Sequence, residues 1–322
     1  MTLSPGKLLY IASLKTLDSM RFSGHETFSC RTNWLNKGVG FCLSGAKQLS
    51  EFSSPQAPLS LGVGKNMAIS IRYWLEAFGI FLPDSEGDEL NDRLNVKIIQ
   101  LFYGLGDDDV FDPYLEDPFT LWYLHYKLVS TKFAGIYHFF YYNFFPRKAS
   151  DFFTEEEFLN SLKSYLKKEG HSVPSDKTLN SDFGVFIDMY AARNSTKDEL
   201  DDVGINILQS LGILSRTANS RGRSGQYFVN KTINESIPDN LLAFIIQEFF
   251  ETKKIRGRSV DLLLEEIGRP FLFYKENFHN RIQKLAELYP DHFSFSLSRN
   301  TGIAELEIVP GQALNSLRFI TK

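Results

Sequence analysis

Leu61-Gly62-Val63-Gly64-Lys65-Asn66-Met67-Ala68-Ile69-Ser70-Ile71-Arg72-Tyr73-Trp74-Leu75-Glu76-Ala77-Phe78-Gly79-Ile80 is the stretch from which the fold is read outward. A glycine-bearing turn leads into one amphipathic helix, expected over 65–78, which Gly79 ends. At about 100° per residue, Met67, Ala68, Ile71, Trp74, Leu75 and Phe78 share one face. Lys65, Asn66, Ile69, Arg72, Tyr73 and Glu76 lie opposite. The first face suits a core. The second carries the cationic, amide and phenol groups of a helix that docks on nucleic acid in helix-turn-helix fashion.

A nucleotide site does not follow from these glycines. A phosphate-binding P-loop needs glycine where Leu59 stands and serine or threonine where Asn66 stands. The dinucleotide fingerprint fails too, because Met67 occupies the place of its third glycine. No nucleotide cofactor is expected.

The chain has 322 residues, 43% hydrophobic and 23% charged, so it has the composition of a globular protein large enough for two or three units. Its 29 Phe and 14 Tyr predict aromatic-rich cores. A net charge of −4 argues against a polycationic coat for DNA while leaving room for a local basic face. Cys30 and Cys42 match no zinc or redox spacing and suit a reducing compartment. The weak apolar run after Lys7 is interrupted by Lys15 and Asp18, and no window reaches transmembrane length. A cytoplasmic protein without membrane contact is expected.

The expected class is mainly α with short β hairpins, a multi-domain chain of winged-helix-like modules. A tail spans 1–20 and an N-terminal helical domain 21–135, whose second long helix, 118–132, starts at Asp117-Pro118. A middle module, 136–235, carries a helix from Asp151 or Thr154 to Lys168 with Gly170 as its stop, and helices near 175–191 and 198–211. Strands follow at Ile213-Leu214-Ser215 and Gln226-Tyr227-Phe228-Val229. A C-terminal module, 236–322, repeats the order with helices near 238–253, 259–267 and 274–289 and strands Phe293 to Leu297 and Ile303 to Ile308. The architecture alone does not mean DNA binding.

Four motifs carry a resemblance: Arg21-Phe22-Ser23-Gly24-His25-Glu26-Thr27-Phe28, the stretch Leu61 to Ile80, Asp112-Pro113-Tyr114-Leu115-Glu116-Asp117-Pro118, and Leu121-Trp122-Tyr123-Leu124-His125. Together they resemble a bacterial family of uncharacterised domains encoded beside DNA-sulfur-modification genes. That family includes the SspB DNA-nicking component of the Ssp single-strand DNA phosphorothioation system. The resemblance implies a modification or antiviral defence role, with DNA and other proteins of a sulfur-modification system as partners. It supplies no catalytic residues. Asp202-Val203-Gly204-Ile205-Asn206 departs from the family pattern, which places a proline after the Leu-Asp pair.

Read from the residues, the acidic run Asp107-Asp108-Asp109, Asp112, Glu116, Asp117 is a candidate site for Mg²⁺ or Mn²⁺, hard ions that carboxylates hold for phosphodiester cleavage. The competing reading is a solvated loop in which Asp117 only caps the next helix. His25 and Glu26 are a candidate base and ligand, or else a buried hydrogen-bonded pair. His125 reads as a core histidine.

Pro238-Asp239 and Glu251-Thr252-Lys253 spell a PD…ExK nuclease signature, but one helix would hold them about 18 Å apart. For DNA contact the candidates are Lys65, Asn66, Arg72 and Tyr73, the loop bearing Arg216, Arg221 and Arg223, and the cluster Lys253, Lys254, Arg256 and Arg258. The leading expectation is a metal-dependent nickase with Asp112, Glu116, His25 and Glu26 as its catalytic groups. The alternative is a non-enzymatic DNA-binding or scaffolding subunit that brings sulfur-transfer partners to DNA.

Overall fold

The computed structural model describes residues 20–44, 49–82, 93–105, 110–192, 205–217, 225–299 and 302–309. The first part of the chain is helical: α1 (Thr32–Leu43), α2 (Ala57–Leu61), α3 (Lys65–Ala77), α4 (Val96–Ile99) and α5 (Pro118–Ser130). The helix read from the sequence is α3. Gly79, at φ 64°, ends it in the left-handed region, where a residue without Cβ carries no strain. Ala68, Ile71, Trp74 and Leu75 are buried as the periodicity requires. α5 begins as its proline and Asp117 predict, with Asp117 accepting from the Phe119 amide at 2.8 Å.

A bent helical run follows, starting with α6 (Gly135–Phe139) and continuing through wider and tighter turns to Arg147. Next come β1 (Phe152–Thr154), α7 (Glu155–Lys168), α8 (Asp176–Tyr190), β2 (Leu214–Arg216) and β3 (Gln226–Val229). Thr154 caps α7 by accepting from the Glu157 amide. The three strands form an antiparallel sheet in the order β1-β3-β2.

The last part repeats that plan. α9 (Asp239–Lys253) precedes β4 (Gly257–Ser259), then α10 (Val260–Leu263) continues through a widened turn to Phe271. α11 (Lys275–Leu288), β5 (Phe293–Leu297) and β6 (Ala304–Ile308) complete it, with sheet order β4-β6-β5. The chain is thus mainly helical with two small antiparallel sheets. One connected apolar cluster runs from Cys30 to Leu306, so all three parts of the chain contribute to a common core.

Two expectations change. The helix near 198–211 is not α-helical over its described part: Asn206 makes an isolated bridge to Arg31 and Gln209–Leu211 is a single tight turn. The reason is tertiary. Ile207 donates its amide to the Cys30 carbonyl (3.0 Å) and Ile205 accepts from the Thr32 amide (3.2 Å), so this backbone pairs with the N-terminal segment. The sheets also contain β1 and β4, two three-residue strands that the sequence reading lacked. Among the described residues, no helix is long and apolar enough to cross a membrane.

Candidate functional site

A concavity lies between α3 and the 20–26 segment on one side and the α7–α8 connection on the other. Its volume is about 520 Å³, and Arg21, Arg72, Tyr73, Glu76 and His171 are among its walls. α3 supplies the floor. One turn separates Arg72 from Glu76, so the Arg72 guanidinium reaches back to the Glu76 carboxylate (Nε to Oε1, 3.3 Å). Arg21 meets the other carboxylate oxygen (Nη1 to Oε2, 3.5 Å).

Arg21 is held in place by its backbone, which pairs with Phe133 and Gly135, and by stacking of its guanidinium over the Phe133 ring at 4.6 Å. The Glu76 side chain is only 6% exposed. Burial raises its carboxyl above the ordinary value, and the two arginines counter that rise.

The second wall is a loop at 22–28 that enters unusual backbone conformations. Ser23, Gly24, Glu26 and Thr27 all have positive φ. Such residues persist only where surroundings fix them. Here the anchor is Asp182 of α8, whose carboxylate accepts from the Ser23 amide (3.0 Å to each oxygen) and from His25 Nε2 (2.8 Å). His25 Nδ1 accepts from the Thr27 amide at 3.2 Å. Gly24 then passes directly over Tyr73: a Cβ there would lie 3.1 Å from the ring, at a φ of 102° that side chains avoid.

The sequence-predicted residues fall in separate places. His25 is buried with both ring nitrogens engaged, which makes it a hydrogen-bonded clip between the 22–28 loop and α8. Glu26 is exposed at the cleft's mouth. Tyr73 was expected on the polar face, but it is buried, packed edge-on against His25 (5.6 Å) and beside Phe133 (5.3 Å). The folded-back 22–28 loop covers that flank of α3, and burial among Asp182 and Glu76 raises its phenol. Lys65 and Asn66 are exposed at the start of α3, and Arg72 is partly so.

Asp112 is buried and spends both oxygens on backbone, accepting from the Glu116 amide (2.9 Å) and the Asp117 amide (3.0 Å). Asp117 caps α5, and Glu116 is exposed. None of the three contacts His25. Asp107, Asp108, Asp109, Arg221 and Arg223 lie outside the described residues. Among the described residues, no group of three His, Cys, Asp or Glu side chains gathers closely enough to hold a metal ion. The described side chains therefore do not form a protein-only Mg²⁺ or Mn²⁺ site.

Of the remaining candidates, Lys253, Lys254 and Arg256 are exposed, and the others are spoken for. Asp239 and Glu251 stand at opposite ends of α9, as the one-helix reading requires. Arg216 is paired with Asp188, and Arg258 is bidentate to Glu266. Arg21, Glu76 and Asp182 were missed. Asp182 left one signal, a carboxylate on the apolar face formed by Leu179, Phe183 and Phe186.

Solved structures share the fold. A solved structure described as magnesium-ion-bound SspB shares 22% identity at a TM-score of 0.71, over 90% of this chain and 84% of that one. A second, described as an SspB crystal structure, shares 22% identity at a TM-score of 0.72, over 94% and 87%. At this identity the likeness establishes the fold. No curated protein matches. The profile of a family described as protein of unknown function (DUF4007) matches residues 22–322, and the chain belongs to that family.

Proposed function

We propose that this chain is a DNA-binding component of a phosphorothioation-linked modification or defence system, and that it holds the sugar-phosphate backbone along the exposed edge of α3. The observation that carries the reading is the placement of Lys65 and Arg72 on one side of that helix, two turns and about 10 Å apart. Lys65 is exposed, and the α3 N-terminus behind Gly64 has no side-chain cap, so free amides add to its cationic end. Arg21 extends the same edge past Arg72. The family resemblance and the SspB-like fold support the biological setting. The two β-α-α-β-β units are read as winged-helix-like modules that hold this edge in place.

A second reading, DNA nicking, is favoured by the magnesium-ion-bound description of one structural relative. Among the described residues, no cluster of three His, Cys, Asp or Glu side chains stands ready for that ion.

One experiment addresses both readings. Binding of a labelled duplex is measured across a salt series, and supercoiled plasmid is incubated with the protein and Mg²⁺ or Mn²⁺. The binding reading expects Lys65→Ala and Arg72→Ala each to lower the salt slope by about 1. Unchanged slopes in both variants sink it. Open circles from the wild type would establish nicking. Their loss in Asp112→Ala/Glu116→Ala or in Glu26→Ala/Glu76→Gln would say which carboxylates matter.

A further inference from the structure

We infer that the cleft between α3 and the α7–α8 connection receives one unpaired nucleotide of a bound DNA strand, its phosphate on Arg21 and Arg72 and the donor edge of its base toward Glu76. This rests on the DNA-binding reading above and goes further, from backbone contact to capture of a single base.

Size is the first argument. At about 520 Å³ the cleft is far larger than a phosphate needs and lies within the ~300–1,000 Å³ range of small-molecule sites, while a duplex cannot enter it. Its charges supply the second. Arg21 and Arg72 are matched by Glu76 on the floor and Glu26 at the mouth, so a bare anion gains little net attraction. A ligand that brings an anion and N–H donors together meets both signs. Each guanidinium commits one nitrogen to Glu76 and keeps other N–H groups for a phosphate. Glu76, accepting one contact at each oxygen, keeps lone pairs for a base amine.

The apolar lining is the third argument. Phe22, Ile69 and Tyr73 provide a wall on which a base can lie. Phe22 belongs to the 22–28 loop, which Asp182 pins through Ser23 and His25, and Ile69 and Tyr73 belong to α3. Its position at the end of the Lys65–Arg72 edge is the fourth: a strand followed along α3 reaches the cleft at Arg72. Enzymes and binders that act on single bases extrude them in this way, and a base that is already unpaired enters most cheaply.

The test uses the full chain and two labelled duplexes, one perfectly paired and one carrying a single bulged nucleotide. The bulged duplex is expected to bind about tenfold more tightly. Glu76→Gln should erase the preference, and so should Ser172→Trp, which places an indole in the mouth from an exposed position away from the α3 edge. Equal affinity of the wild type for both duplexes overturns the nucleotide pocket and leaves backbone binding standing. Failure of the folded wild type to bind either duplex overturns both readings. A preference that survives in both variants also overturns the pocket. Displacement of the bulged duplex by micromolar deoxynucleoside monophosphate, matching its own affinity, overturns the DNA source and makes the cleft a site for free nucleotides.

Discussion

Acidification through the range about pH 7 to pH 5 is expected to destabilise this protein, with His125 as a principal cause. His125 is fully buried on α5, and both of its ring nitrogens are hydrogen-bonded. Nε2 lies 2.8 Å from the Pro270 carbonyl, which can only accept, so Nε2 carries the hydrogen. Nδ1 lies 2.9 Å from the Tyr190 hydroxyl and accepts from it. A second proton would have to enter among Trp122, Tyr141 and Phe271 rings, with no carboxylate to meet it.

Burial therefore lowers the imidazole from 6.5 to about 4, partly offset by the Pro270 bond. The folded pKa lies below the unfolded one, so the unfolded chain binds more protons within this window. The contribution is complete above pH 6.5 or so, falls as pH drops, and is lost near 4. At about 1.4 kcal/mol per pH unit, the loss between pH 7 and pH 5 is about 2 kcal/mol. That is a large share of a typical stability of ~5–15 kcal/mol.

His138, lowered to about 4 by burial, adds a second proton to the same window. Urea unfolding at stepped pH reads the sum. The variant His125→Gln is expected to be less stable at pH 7 but to show a slope shallower by one proton. Slopes that coincide for wild type and variant would refute the neutral, buried imidazole.

Three further outcomes follow from single contacts. Asp182→Asn removes the charge that holds the Ser23 amide and His25, and should cost ~2–3 kcal/mol in urea unfolding; a change below ~0.5 kcal/mol would show that the 22–28 loop is anchored elsewhere. Asp112→Ala leaves two amides without their acceptor and should cost about 2 kcal/mol while leaving duplex affinity unaltered, so a folded variant that no longer binds DNA would return the acidic loop to the binding site. Glu76→Gln frees two guanidiniums from a carboxylate and should raise affinity for perfectly paired duplex at low salt; weaker binding would mean that Glu76 orients the arginines more than it neutralises them.

What could be read from the sequence was what neighbours in the chain decide. Asp117 with Pro118, Thr154 three residues before Glu157, and Gly79 and Gly170 at helix ends are local signals, and the helices begin or stop there. The apolar side of α3 follows from its spacing. The other side does not, because Tyr73 is buried by a loop some fifty residues earlier in the chain, and periodicity is silent about what folds back over a helix. β1 and β4 were illegible for a related reason. Each is three residues long and exists through its partner, Phe152 opposite Phe228 and Arg258 opposite Leu306. The acidic spacing marks Asp112 as a candidate ligand, and spacing is silent about the amides of 116 and 117 that its carboxylate accepts from.

The two β-α-α-β-β units share a strand order, yet neither offers its second helix as a bare groove-reading surface. In the first, α8 is buried on most sides, and its Asp182 serves the N-terminal loop. In the second, the basic side chains of α11 are met by carboxylates from neighbouring elements. Lys275 and His279 reach Asp261, and Arg281 and Lys284 reach Asp239. A phosphate would have to displace these partners, whereas Lys65 stands exposed at the uncapped start of α3. The units thus do more as a brace than as readers. α8 pins the loop that shapes the cleft, Tyr190 and Pro270 both bond His125 of α5, and Glu248 of α9 takes Lys127 and Tyr123 of the same helix. Under that arrangement, a change that loosens either unit should act on the cleft through α5 and the 22–28 loop before it touches any group on the α3 edge.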